Sequence, residues 1–148
     1  MTQGLPNRQD IPSTETWDLK DLFQNDEDFY QILDETLASS LSFNKRYNGQ
    51  LKEIDTIEHA LKDYEALLIQ IDRLGNYAEL RLSVDTTNEA AQTLNAKLNT
   101  SYGKIASRLS FVESEILNLS NDTLQQLKSQ TQYPHYICLL YTSDAADE

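Results

Sequence analysis

The chain has 148 residues, and its 24 acidic side chains against 12 basic ones give a net charge of −12. That length suits one domain with its own core rather than two, and 39% hydrophobic with 24% charged residues is the balance of a folded chain rather than a disordered one. The acidity argues against nucleic acid as a partner, since no basic stripe interleaved with aromatics offsets it, and no apolar run reaches the roughly 18–20 residues that would call for a membrane.

Residues 1–10 lack a basic stretch followed by an apolar one, so no secretory signal is expected and the cytoplasm is the default location. Residues 1–24 read as an extended amino-terminal strap, because Pro6 and Pro12 disfavour helix at the residues before them. Trp17, Leu19, Leu22 and Phe23 supply apolar anchors for laying it across a helical surface. The run Asn25-Asp26-Glu27-Asp28 is a helix start, where a short polar side chain caps free amides and acids suit the positive end of the helix dipole. Phe29, Ile32, Leu33, Thr36, Leu37 and Leu41 then recur at threes and fours, predicting a helix over about residues 27–46 that Asn48-Gly49 ends.

A second helix is predicted over residues 56–83, with an acidic variant of a capping box at residues 55–58. Its stripe runs through Ile57, Leu61, Tyr64, Leu68, Ile71, Gly75, Ala78 and Leu82, widened by Ala60, Leu67, Leu74 and Tyr77. Gly75 on that seam suggests close approach of another helix, at a cost of ~1 kcal/mol relative to Ala. After a link at Val84-Asp85-Thr86-Thr87, a second capping box is expected at residues 86–89, with Asp85 supporting the turn. The third helix, over residues 88–117, carries Ala91, Leu94, Leu98, Ile105, Leu109, Val112 and Ile116. A fourth is predicted over residues 121–132, before Pro134. Prolines stand only at positions 6, 12 and 134, so nothing breaks the middle of the chain. Two helices of roughly 25 residues joined by so short a link must run antiparallel. The expectation is an all-α helical bundle built on a long antiparallel helix pair, with the strap in front.

Catalytic chemistry is hard to find in these residues. A zinc-peptidase helix shows His-Glu-x-x-His, because residues four apart share one face and grip one ion. The two histidines, His59 and His135, lie far apart, and neither has a second histidine four residues away. Adjacent helical residues diverge by about 100°, so Glu58-His59 is no metal pair. His59 reads as a helix-surface residue and His135 as structural. Asp26, Glu27 and Asp28 lack the alternation, the turn glycine and the distal glutamate of a calcium loop. Asp63 and Asp72 read as charges on a helix face. No catalytic, cofactor-binding or metal-binding residue is expected in the chain.

Residues 138–148, Cys138-Leu-Leu-Tyr-Thr-Ser-Asp-Ala-Ala-Asp-Glu148, break the preceding pattern and resemble the in-frame translation of a transposon-end adaptor used in sequencing libraries. On that reading they are an artefactual tail, the sole cysteine says nothing about redox compartment, and the authentic segment is residues 1–137.

Composition and period stop at an acidic helical domain, but an ordered set of local strings goes further. These are Arg8-Gln-Asp-Ile11-Pro12, Thr16-Trp17-Asp18-Leu19, Asp21-Leu22-Phe23 and Asp26, then Phe43 with Gly49 and Leu51. Tyr77-Ala78-Glu79-Leu80 leading to Asp85-Thr86-Thr87-Asn88 follows, and then the run from Leu109 to Leu117. Together they resemble the amino-terminal part of oligoendopeptidase F proteins, relatives of the thimet-oligopeptidase-like zinc metallopeptidases. The resemblance implies a longer parent with a clam-like helical fold, whose His-Glu-x-x-His helix and further Glu ligand lie downstream. It implies zinc in that parent and none in this segment, short peptides as substrates, and a carboxy-terminal catalytic domain as the partner of helices that wall the substrate channel. The alternative is a complete small helical interaction module that binds a partner through an exposed apolar stripe.

Overall fold

The computed structural model describes residues 11–15, 18–133 and 135; Trp17, residues 1–10 and the tail from residue 138 onward lie outside them. Every regular element among the described residues is helical: α1 Asp26–Tyr47, α2 Ile54–Val84, α3 Glu89–Leu109, α4 Phe111–Leu117 and α5 Asn121–Gln130. The chain is an all-α bundle in which α1, α2 and α3 each pack on the other two.

The core shows how the helices run. One buried cluster joins Phe29 and Leu33 from the start of α1, Leu74 and Ala78 from the later part of α2, and Leu94 and Leu98 from the first half of α3. A second joins Phe43 and Tyr47 from the end of α1, Ile57 and Leu61 from the start of α2, and Ile105 and Leu109 from the end of α3. The direction therefore alternates from α1 to α2 to α3, as the short links require. α4 and α5 close the second cluster with Val112, Ile116, Leu124 and Leu127.

The strap is less extended than expected. Its described part contains 3-10 turns at Ser13–Glu15 and Leu19–Asp21. Pro12 O accepts the Glu15 amide at 2.9 Å, and the Asp18 carboxylate takes the Lys20 amide at 3.0 Å, so local hydrogen bonds fold the backbone where proline alone would leave it open. Phe23 anchors it, set edge-on to Phe29 and Tyr77 with centroids 5.7 and 5.2 Å away. The Arg73 guanidinium lies 4.3 Å over the Phe23 ring and its Nε donates to Leu22 O at 2.9 Å.

Helix starts correct the sequence reading in detail. Asn25 caps α1 by accepting the Asp28 amide at 2.9 Å, and Gly49, at φ +79°, follows the end of α1 in the left-handed region. α2 begins at Ile54, before the expected box, and its cap residue Glu53 makes no side-chain capping bond. Burial of Leu51 and the Glu115 carboxylate fix that entry instead, the carboxylate accepting the Gly49 and Leu51 amides at 2.6 and 3.2 Å. At α3 the cap is Asn88, which accepts the Ala91 amide at 2.9 Å, while Asp85 takes the Thr87 amide and hydroxyl at 2.9 and 2.7 Å.

The single helix expected over residues 88–117 is two helices meeting at Ser110. The Ser110 hydroxyl donates to Ser107 O at 3.1 Å, competing locally with the regular ladder, and the turn sets Phe111 5.7 Å from Phe43. Two stripe residues also depart from expectation. Leu41 is 40% exposed, because the neighbouring Ser40 and Phe43 take the buried face. A Cβ on Gly75 would meet nothing within 4 Å, so that glycine serves no close approach and borders an open cleft between α2 and α3.

Candidate functional site

The two histidines stay apart from each other's surroundings. His59 is exposed on α2 and its Nδ1 lies 2.6 Å from Asp55 O one turn earlier. His135 is exposed, with Nε2 3.8 Å from a Glu65 carboxylate oxygen. Among the described residues no group of three or more His, Cys, Asp or Glu side chains is gathered as a metal would need.

The acids sort by position. Of the Asp26-Glu27-Asp28 run, Asp28 supplies only its amide to the cap, while Asp26 is drawn inward. Its carboxylate accepts the Tyr77 hydroxyl at 2.7 Å and both terminal nitrogens of Arg81 at 2.9 and 3.1 Å. This triad ties the first turn of α1 to the last turns of α2. Burial, then the Asp26 hydrogen bond and charge, push the Tyr77 hydroxyl pKa up, with Arg81 opposing.

A looser version stands near the opposite end of the helix pair. Tyr47 donates to Asp63 at 2.7 Å, and Arg46 approaches the same carboxylate at 3.6 Å. Burial first, then the hydrogen bond and charge of Asp63, raise the Tyr47 pKa from 10.0 to about 12. This second triad borders a groove of about 530 Å³ along one side of α1 and α2. Exposed Ala38, Ser39, Ser42 and Ala66 keep it open, and buried Phe43 and Leu67 give it apolar walls. Glu35 lies toward one end, and the Gln70 carbonyl oxygen in the wall is buried without a hydrogen-bond partner. A second cleft of about 350 Å³, between α2 and α3, is lined mostly by polar residues, Asp72, Asn76, Glu79, Asn95 and Asn99, with Leu98 and Tyr102 beside them.

The triads and clefts offer a guanidinium, carboxylates, amides and apolar wall. Sequence reasoning took Asp63 for a surface charge and Asp26 for part of a cap. No local pattern marks either triad, because the Asp26–Arg81 bond spans 55 residues and the Tyr47–Asp63 bond 16.

What the residues compose, then, is an all-α helical bundle with two clefts beside α2. The chain belongs to the oligoendopeptidase F family. It is 34% identical over 126 residues to oligopeptidase PepF of Bacillus subtilis, covering 82% of this chain and 18% of that protein. It is 29% identical over 147 residues to the plasmid-encoded oligoendopeptidase F of Lactococcus lactis subsp. cremoris, covering 94% of this chain and 24% of the relative. A homologue in Borreliella burgdorferi is 24% identical over 119 residues, which is 80% of this chain and 20% of the relative. The chain thus spans about a fifth of the length of these curated relatives. No family model matches it, and no solved structure does.

Proposed function

We propose that this chain is the amino-terminal helical part of a zinc-dependent oligoendopeptidase that hydrolyses short peptides in the cytoplasm. Its helices form part of the wall of the substrate channel, and the chain alone hydrolyses nothing. The observation that carries the reading is the 34% identity to PepF over 126 residues. On this reading residues 1–137 are the authentic domain and residues 138–148 an adaptor-derived tail. The described residues do not fit a zinc site, since they gather no ligand set, so the reading assigns zinc, which would polarise the scissile carbonyl and activate a water, to the remainder of the parent. The role of these helices is to shape and line the path that a peptide takes.

The test is hydrolysis of a quenched fluorogenic peptide by the purified chain and by the complete product of its gene, each with and without a chelator. Turnover by the complete product that the chelator abolishes, and none by the chain alone, is the expected pattern. Chelator-sensitive turnover by the chain alone, persisting after contaminating enzymes are removed, overturns it.

A further inference from the structure

The α1/α2 groove has Glu35 toward one end and Arg46, with the Asp63 carboxylate beside it, toward the other. Glu35 and Arg46 both line it, and eleven helical positions separate them, or ~16 Å along the α1 axis. Arg46 is 67% exposed, and its Asp63 neighbour stands off at 3.6 Å, too far for the forked hydrogen bonds that Arg81 makes. Glu35 is exposed and accepts one hydrogen bond, from Gln31 Nε2 at 2.9 Å. Between the two charges buried Phe43 and Leu67 floor the groove, beneath the exposed rim of Ala38, Ser39, Ser42 and Ala66. The Gln70 side-chain carbonyl oxygen in the groove wall is buried and lacks a donor, an unfavourable state that an incoming N–H would relieve.

The geometry points to a binding site for a short extended peptide with both termini free, its ammonium at Glu35, its carboxylate at Arg46 and a backbone N–H meeting Gln70. At ~3.3 Å per extended residue, a span of ~16 Å corresponds to about five residues. A groove of about 530 Å³ is within the range that holds ligands of this kind. The site is a holding groove outside any catalytic centre, and it deepens the peptidase reading by giving this part of the wall a ligand and a length preference. That preference for two free ends would favour fragments of peptides over segments of folded proteins.

The test is calorimetric titration of the purified 148-residue chain with a pentapeptide of alanine and leucine, beside its acetylated and amidated form. One-to-one binding of the free peptide, weakened at least tenfold by blocking the termini, is expected. Glu35→Lys and Arg46→Glu, both at exposed positions, each weaken binding by a similar factor. The double variant recovers it, because the peptide then binds in the reverse direction. Circular dichroism confirms that the variants fold. No binding at millimolar peptide, equal binding of the blocked form, or a double variant as weak as the singles each overturns the site. So does self-association of the chain that Ala66→Arg abolishes, since the groove is then an interface between copies. Failure here with an active complete gene product removes only the groove, whereas binding here with an inactive one removes the peptidase reading.

Discussion

Two tyrosine–aspartate–arginine triads bind α1 to α2, and they use the same chemistry to different ends. In both, the tyrosine hydroxyl donates to the carboxylate at 2.7 Å. Around Asp26 the arginine closes the triad with two short bonds, and Asp26 and Arg81 are only 30% and 31% exposed. Around Asp63 the arginine stays at 3.6 Å, with Asp63 and Arg46 47% and 67% exposed. The closed triad caps a ring-rich cluster in which Tyr77 stacks on Phe29 at 5.6 Å and meets Phe23 at 5.2 Å. The open one borders a groove. Solvent access therefore separates a lock from a site: a carboxylate fully engaged by a fork of N–H groups fixes helices, while a half-engaged arginine keeps hydrogen-bonding capacity for something else.

The largest effects test the aromatic footing of each triad. Tyr77→Ala should cost ~3–5 kcal/mol in urea denaturation. Tyr47→Ala should cost less, because its ring meets Phe43 at 5.0 Å without a second ring stacked on it. Equal losses would break the contrast. Next come the arginines. Arg81→Ala should cost ~1–2 kcal/mol, since it removes a bidentate pair and leaves Asp26 with only the tyrosine. Arg46→Ala should cost under ~0.5 kcal/mol, as exposed pairs do. A larger loss for Arg46 would assign it to the fold rather than to the groove.

The smallest effect is a pH dependence. Both tyrosines have folded-state pKa values raised above the ordinary 10.0, so the folded state favours their neutral forms. The stability this contributes is complete below pH 10 and is lost as pH rises, for Tyr47 through about 12. Ultraviolet tyrosinate titration should show Tyr47 and Tyr77 ionising late together with Tyr64 and Tyr102, whose hydroxyls burial also pushes up. Asp63→Asn should bring the Tyr47 hydroxyl part of the way back toward 10, with burial still raising it. An unchanged titration in that variant would contradict the part of the shift assigned to Asp63.

The bundle was legible because its signals are local and periodic. Phe29, Leu33, Ile57, Leu61, Leu94 and Ile105 fall on the stripes at threes and fours and are at most 2% exposed. Helix starts were less legible because several polar residues compete within one turn. Asn88 rather than the preceding threonines captures the cap of α3, and Leu51 with Glu115 sets the entry to α2 without any capping side chain. The bend at Ser110 turns on one hydroxyl and the packing of Phe111, neither of which disturbs the apolar period. The groove left no signature. Glu35 and Arg46 are exposed charges, and the alanines and serines between them look like any solvent-facing helix surface until α2 is laid beside them. Family membership was legible as ordered strings rather than as chemistry, because among the described residues no metal-ligand cluster is gathered to mark it.

The central claim is that these helices are one part of a longer peptidase, and reading the gene tests it most directly. Sequencing the source genome downstream of the Ile137 codon should show the frame continuing through helical sequence to a His-Glu-x-x-His motif, with the adaptor-like tail absent. A stop codon directly after Ile137, or a genomic tail identical to residues 138–148, would contradict it.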